Sequence, residues 1–421
     1  MIIKPMVRNN ICINSHPAGC ETAVKRQIAY VRNRFAEDSK KTKDADPQKA
    51  GAAPALALVI GCSTGYGLAS RIAAAFGYGA VTIGLSLEKP ASESKPGTPG
   101  FYNNRAFDKL AAEAGLVSST LNGDAFSGEI KAQTIQAVRD AAAKAGIKSR
   151  IDLVVYSLAS PVRVDPKTGV MYKSVIKPIG GSYTGKTIDM MTGRMFTAGA
   201  EGATQEEIAA TVKVMGGEDW ELWIDALENA DLLSPCARTV AYTYIGPELS
   251  WAIYKNGTIG RAKEDLERAC TAINSRFREK DGAETMKRAF VSVNKALVTR
   301  ASAVIPVIPF YVSCLFRVMK DKGLHEGCVE QITRLYRERL YTPEAAGDPG
   351  KTPVDETGRI RMDDLEMRDD VQRETLALMN TVTEENVWTD MDAAGFKHDF
   401  LEAHGFDVEG VDYDADAPLL L

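Results

Sequence analysis

From Ala55 onward the chain alternates short, continuously apolar runs with amphipathic stretches, and that rhythm restricts its fold more than any other feature. Ala55–Ile60, Ala80–Leu87, Val117–Leu121 and Ile151–Ser157 read as strands, separated by helical patterns over Tyr66–Phe76, Arg105–Ala114 and Glu129–Ala145. A run such as Leu153-Val-Val, with no polar alternation, needs burial on both faces, which a parallel sheet covered by helices provides. The spacing predicts an α/β fold built on a doubly wound parallel sheet. The rhythm breaks at Pro161, and residues 161–230 read as an excursion that helps form a pocket, with a Trp-bearing helical pattern around Trp220 and Trp223. It resumes with a strand over Ala237–Ile245, a helix over Arg261–Phe277 and a strand over Arg288–Val293, then helical patterns over Val298–Lys320 and Cys328–Leu340. Ahead of the sheet, Val24, Ile28, Val31 and Phe35 mark a helix, and the charged stretch from Asp38 to Lys49 reads as a solvated loop. The acidic tail from Phe406 is expected on the surface.

At 421 residues the chain can bury a large core, and a net charge of −5 with dispersed Lys and Arg gives no reason to expect nucleic-acid binding. Seven scattered cysteines without a C-x-x-C pair argue against a disulfide framework and a zinc site, and fit a reducing compartment. No run of 18 apolar residues occurs and the amino terminus lacks the apolar core of a signal peptide, so the expectation is a soluble, cytoplasmic protein. His16, His325, His398 and His404 lack ligand spacing, and no metal is expected.

Gly61-Cys62-Ser63-Thr64-Gly65-Tyr66-Gly67 sits where the first strand turns into the first helix. Glycines there let the backbone approach a pyrophosphate, and the helix amino terminus supplies free N–H groups and a positive dipole end. The spacing is G-x-x-x-G-x-G, the short-chain dehydrogenase variant. Glu88 ends the second strand, placed to accept hydrogen bonds from adenosine ribose hydroxyls and to repel a 2′-phosphate, which favours NADH; Lys89 beside it keeps NADPH open. Asp124 is placed to contact adenine or, alternatively, to cap the next helix. Leu158-Ala159 follows the fourth strand, where nicotinamide would sit. Gly180-Gly-Ser-Tyr-Thr-Gly185-Lys186-Thr187 satisfies the Walker pattern, but neither a buried strand before it nor an amphipathic helix after it is present, so it reads as a decoy.

A reductase that delivers hydride to a conjugated carbonyl must stabilise charge developing on oxygen, which a tyrosine hydroxyl can do, helped by an ammonium that lowers the phenol pKa. Tyr254 and Lys263 stand nine positions apart. On one continuous helix they would face roughly 180° apart at ~3.6 residues per turn. They converge only if the chain bends, and Asn256-Gly257 and Gly260 supply the bend.

The Gly61–Arg71 loop, Tyr244-Ile-Gly-Pro-Glu and the Tyr-(x)8-Lys spacing together resemble the trans-2-enoyl-CoA reductase family, a sibling of the FabV-type enoyl-acyl-carrier-protein reductases. Supporting stretches run nearly the whole chain, among them Tyr156-Ser-Leu-Ala-Ser-Pro and Val291-Ser-Val-Asn-Lys-Ala-Leu-Val-Thr-Arg. The resemblance implies one extended Rossmann-type, short-chain-dehydrogenase-like domain over 1–421, with substrate-pocket segments at 161–230 and 300–340 and a lid over the acyl chain near Val304-Ile-Pro-Val-Ile-Pro. It implies Tyr254 as catalytic donor, Lys263 on the nicotinamide ribose in support of the tyrosine, and Tyr244 beside the thioester carbonyl. Its NADH contacts fall on Gly61, Cys62, Ser63, Thr64, Gly65, Tyr66, Leu87, Glu88, Asp124, Ala125, Leu158, Ala159, Lys263, Leu297, Val298 and Thr299. The expected activity is NADH-dependent reduction of the 2,3 double bond of a trans-2-enoyl-CoA by a monomer. Rival readings are the same reduction on an acyl-carrier protein in fatty-acid synthesis, a ketoacyl reductase, and a catalytically silent NAD-binding regulator.

Overall fold

The continuously apolar runs become the central strands of the computed structural model, which describes residues 1–8, 11–41, 53–189, 191–300, 302, 305 and 308–419. Leu56–Ile60 (β1), Val81–Ser86 (β2), Ser118–Asn122 (β3), Ile151–Tyr156 (β4), Leu233–Thr243 (β5), Arg288–Val293 (β6) and Ile360–Arg361 (β7) form one sheet. All neighbours pair in parallel, in the order 3-2-1-4-5-6-7. Alternate residues of β1 explain why this run carries no polar alternation: Ala57 and Val59 join one apolar cluster, whereas Leu56, Leu58 and Ile60 join another on the opposite face.

Helices cover both faces. The labelled ones are Pro17–Lys41 (α1), Gly65–Ile72 (α2), Pro99–Glu113 (α3), Gly128–Ala145 (α4), Gln205–Met215 (α5), Glu218–Asn229 (α6), Thr258–Asp281 (α7), Ile308–Asp321 (α8), Cys328–Leu335 (α9), Asp369–Thr381 (α10) and Ala393–Glu402 (α11). Residues of α1, α2, α3 and α9 pack with Ala57 and Val59, and residues of α4, α6 and α7 pack with Leu58. Trp220 and Trp223 of α6 are fully buried, their indole N–H groups donating to Thr239 Oγ1 and to the Ala125 carbonyl. A third apolar cluster, built on α8, α10 and α11, lies beyond the sheet and contains Tyr254.

Several expected boundaries move. The helix α3 begins at Pro99, a residue suited to a first turn because its missing N–H has no partner there in any helix. The helix α1 continues to Lys41, into the stretch read as loop from Asp38; residues 42–50 lie outside the described ones. Val298 to Arg300 are not helical, and α8 starts at Ile308 with Pro309 in its first turn, the place where a proline disturbs a helix least. The tail after Phe406 is not simply a surface segment: Phe406, Val408, Ala417 and Leu419 are buried while its acidic side chains face out. Ala417 N–H reaches the Met1 carbonyl, and Lys4 pairs with Asp414 at 2.6 Å, joining the two chain ends. Gly185, Lys186 and Thr187 lie in an antiparallel hairpin of Tyr183–Ile188 with Met195–Ala200, so the Walker-like sequence opens no helix. No helix among the described residues is long and apolar enough to cross a membrane.

Candidate active site

The strand order places a switch point between β1 and β4, since the chain winds outward in one direction from β1 and in the other from β4. The carboxyl ends of strands at such a point form the ligand crevice of open α/β sheets. Gly61 leaves β1 with φ +88°, and a Cβ on it would stand 2.1 Å from the Ser157 carbonyl oxygen, just beyond β4. A Cβ on Gly67 would stand 1.8 Å from the Gly61 carbonyl oxygen. Only hydrogen at both positions permits so close a fold. Thr64, the N-cap of α2, makes no side-chain capping bond, so the first amides of α2 are left for a ligand. This donor set at a helix amino terminus fits a dinucleotide pyrophosphate.

The expected cofactor residues divide into groups. Thr299 faces Gly65, its Cγ2 lying 3.6 Å from where a Cβ would be, so the Leu297–Thr299 strip runs beside the glycine loop. Ser63 Oγ donates to Glu88 Oε1 at 2.6 Å, and Arg300 approaches the same oxygen at 3.6 Å. The Glu88 backbone is held in place by Asn122, which accepts from its N–H and donates to its carbonyl. Leu87 is exposed, and Leu158 and Ala159 stand at the end of β4, Leu158 half-buried. Cys62 and Tyr66 turn inward. Burial raises the Cys62 thiol pKa, and the Tyr66 hydroxyl lies 2.9 Å from both the Lys295 carbonyl and Gln331 Oε1, which share its one hydrogen, so both residues have only backbone to offer the crevice. Asp124 does not cap the next helix: its carboxylate accepts from the Phe126 N–H, and Ser127 is the cap of α4. The Ala125 carbonyl is taken by Lys131 and Trp223.

The bend between Tyr254 and Lys263 is present. Tyr254 sits on turns after a short helix, Glu248–Trp251, and Lys263 lies in the second turn of α7. Gly257 is the N-cap of α7, and a Cβ there would meet the carbonyls of Ile253 and Lys177 at 2.5 and 2.8 Å. The excursion after β4 braces this turn: Pro178 bridges to Gly257, and Thr258 Oγ1 donates to the Val175 carbonyl. Lys263 Nζ donates to the Tyr242 carbonyl at 3.3 Å, near the end of β5, and Tyr244 follows two residues later. The Tyr244 and Tyr254 rings meet edge to face, centroids 5.0 Å apart at 78°. Burial lowers the Lys263 pKa to about 8. It raises that of Tyr254, whose hydroxyl has no hydrogen-bond partner among the described residues. The expected lowering of the phenol by a nearby ammonium is therefore not what acts here; desolvation decides the direction.

Two buried side chains that the sequence reading does not single out, Glu366 and Lys295, and apolar residues from the expected pocket segments complete the surroundings. Glu366 accepts from the Tyr244 hydroxyl at 3.0 Å and from the Tyr311 hydroxyl at 2.7 Å. Lys295 is buried with its ammonium on the Ala296 carbonyl. Ile188, Ile308, Phe310, Val312 and Leu315 share the apolar cluster of Tyr254, and Ile176, Met195 and Met215 pack against it. His16, His325 and His404 are packed side chains, and burial lowers their pKa values. Ligand-type side-chain atoms of His398, Asp399 and Glu402, all on α11, do lie within 4.8 Å of one another.

Comparison with known proteins places this geometry. The family profile described as the trans-2-enoyl-CoA reductase catalytic region matches residues 95–341, and the one described as the NAD(P)H binding domain of trans-2-enoyl-CoA reductase matches residues 2–93. The trans-2-enoyl-CoA reductase (NADH) of Treponema denticola is 57% identical over 99% of this chain and 98% of its own. The chain belongs to the trans-2-enoyl-CoA reductase family. The crystal structure of the Treponema denticola trans-2-enoyl-CoA reductase in complex with NAD superposes with a TM-score of 0.89, covering 99% of this chain and 98% of that one. An enoyl-acyl-carrier-protein reductase (NADH) of Cytophaga hutchinsonii is 51% identical over 99% of this chain and 97% of its own.

A third profile, described as an enoyl reductase FAD binding domain, matches residues 354–417. The residues present do not fit a flavin dinucleotide. No glycine-rich strand-to-helix loop occurs there: Gly358 is a turn residue, Gly395 lies against its own helix cap Asp392, and Gly405 lies against the backbone of His16 and Cys20. The aromatic residues Phe396, Phe400 and Phe406 are buried in the apolar cluster.

Proposed function

We infer that this chain reduces the 2,3 double bond of trans-2-enoyl thioesters with NADH, and that the CoA ester is its substrate. As a member of its family it is an NADH-dependent oxidoreductase. The observations that carry the reading are the uncapped glycine loop at the carboxyl end of β1 and, near the carboxyl end of β5, Lys263 on the Tyr242 carbonyl and Tyr254 against the Tyr244 ring. Greater identity to the Treponema CoA-ester reductase than to the carrier-protein reductase favours CoA.

NADH, when bound, supplies the hydride that adds at C3. The amides of Gly65, Tyr66 and Gly67 would hold its pyrophosphate, Ser63 and Glu88 its adenosine ribose, and Lys263 its nicotinamide ribose. A carboxylate at Glu88 disfavours the extra phosphate of NADPH. Tyr254 donates a hydrogen bond to the thioester oxygen as negative charge develops there and keeps its proton, and the balance of one hydride and one proton closes when C2 takes a proton that comes from solvent. Residues of the 161–230 and 300–340 segments wall the acyl chain and exclude water. The expected state is a monomer, as the family resemblance implies; light scattering on the eluted enzyme should give about one 45.6 kDa mass.

Loss of NADH absorbance with crotonyl-CoA, run beside crotonyl-acyl-carrier protein, tests this. Turnover on the CoA ester supports the reading, preference for the carrier protein moves the enzyme to fatty-acid synthesis, and NADH binding without turnover on either leaves a silent NAD-binding protein.

A further inference from the structure

Among the buried titratable groups outside the cofactor crevice, Glu366 reaches the reacting end of the site. It lies between β7 and α10, fully buried and 122 residues from Tyr244 in the chain. Donors crowd both carboxylate oxygens: the Ala296 N–H lies 2.6 Å from Oε2, and the Tyr311 and Tyr244 hydroxyls lie 2.7 and 3.0 Å from Oε1. Gln372 steadies the arrangement, its Nε2 donating to the Glu366 backbone carbonyl at 2.7 Å and to the Tyr311 oxygen at 3.1 Å. Buried Lys295 supplies positive charge nearby. A buried carboxylate is costly unless its oxygens are satisfied, and apolar residues of similar volume would commonly serve stability as well or better. Its presence against an otherwise apolar cluster therefore asks for a reason beyond packing.

A phenol has one hydrogen to give. Tyr244 gives its hydrogen to Glu366 and can present only lone pairs elsewhere. Tyr254, packed edge to face against that ring, gives its hydrogen to no described residue. Two tyrosines of similar appearance in sequence thus differ in hydrogen-bond polarity.

We propose that Glu366 is a positioning residue for the reductase reaction: by taking the Tyr244 hydrogen it fixes the ring that supports Tyr254 and leaves Tyr254 as the phenol that donates to the thioester oxygen. This rests on the reading of Tyr254 as donor. Tyr244 then orients and shields rather than sharing the oxyanion.

The test is a double-mutant cycle on crotonyl-CoA reduction with Glu366→Gln, Tyr244→Phe and the pair together. The glutamine can accept from Ala296 but turns N–H toward the phenol oxygens, which releases the Tyr244 hydrogen and the ring. The expected result for Glu366→Gln is a fall in kcat of about 10- to 100-fold, with the Kd for NADH within about 2-fold of wild type. The double variant should be no slower than Tyr244→Phe alone. Losses that multiply in the double variant, or a Glu366→Gln enzyme as fast as wild type, overturn the proposal. If Glu366→Gln does not fold, Gln372→Ala, which loosens Glu366 from behind, takes its place in the same cycle, and the same two outcomes decide it. A wild-type enzyme inactive on every enoyl thioester removes the functional reading and this proposal together, whereas an active one with an unaffected Glu366→Gln removes only the proposal.

Discussion

Replacing Gly67 by alanine puts a methyl group where the structure has no room for one. The added carbon would stand 1.8 Å from the Gly61 carbonyl oxygen, and reaching even 3.0 Å requires the backbone to open by more than 1 Å at the turn that would receive the pyrophosphate. The obstacle is backbone, so no side-chain rotation relieves it. Overpacking of this kind costs about 1–3 kcal/mol. If the loop must close again on NADH, that converts to a rise in Kd of about 5- to 150-fold. Gly65→Ala is the graded comparison: its Cβ would make only ordinary contact with Thr299, leaving the cost of φ +54°, about 1–2 kcal/mol. Gly115→Ala, at φ +72° with open space around it and far from the loop, carries a similar backbone cost without reaching the crevice. Fluorescence titration with NADH, paired with thermal melting of each variant, should therefore show Gly67→Ala weakest in binding, Gly65→Ala intermediate and Gly115→Ala unchanged. A Gly67→Ala enzyme that melts early yet binds NADH like wild type would show the glycine to be structural alone, and the loop assignment would fall.

Removing the hydroxyl in Tyr254→Phe should lower kcat by about 100- to 1,000-fold, because one oxyanion donor is lost, while NADH affinity stays nearly constant; equal losses in both would point to a collapsed site. Lys263 at about 8 should give kcat/KM for NADH a limb that falls as pH rises through that value, since the ammonium is then lost. The limb should vanish in Lys263→Met and persist in Lys295→Met, which separates the two lysines that burial lowers to about 8. The stability effect has the opposite slope: between about 8 and the ordinary value of 10.5 the unfolded chain holds a proton that the folded one has released, so stability rises with pH there. Lys131→Met leaves the Asp219 carboxylate, 1% exposed, without its 2.8 Å ion-pair partner. It should cost about 3–5 kcal/mol in chemical unfolding; an unchanged midpoint would show that the pair is not held as described.

What is legible in the sequence follows from local pattern. Arg288–Val293 is recovered to the residue because Phe290 packs on one face and Ala289 and Val291 on the other, so the run is compactly apolar between Arg288 and Ser292. The bend at Gly257 is legible because a tyrosine and a lysine nine positions apart would face opposite ways on one helix, and Asn256-Gly257 marks where the chain can turn. Helix starts are less legible: the helices expected from Arg105 and Val298 begin at Pro99 and Ile308, with a proline in each first turn, where its missing N–H costs nothing. Glu366 is hidden for a different reason. It sits in Asp363-Asp-Leu-Glu366, a run that looks like a solvated acidic surface, and only the return of the chain from β7 places it beneath Tyr244. Cys62, Tyr66 and Ala125 are expected cofactor positions by the family resemblance, but a motif carries no side-chain direction, and all three are packed inward.

Burial acts on the site with two signs, and the difference bears on how the enzyme is built. Desolvation favours the neutral form of every group. For Tyr254 that means a phenol that keeps its proton across the working range, which a hydrogen-bond donor needs. For Lys263 it means an ammonium held only a little above neutrality, able to bind ribose hydroxyls yet close to release. For Glu366 the same push raises the pKa, and three donors oppose it. A water-filled cleft would return the lysine toward 10.5 and satisfy the Tyr254 hydroxyl with solvent, leaving neither group committed to substrate. Around Tyr254 the apolar neighbours come from the parts of the chain that break the strand–helix rhythm: Ile176, Ile188 and Met195 from the excursion after β4, and Phe310, Val312 and Leu315 from α8. Those segments look irregular beside the sheet because they pack beyond it, against the tyrosine that must stay unsolvated to donate.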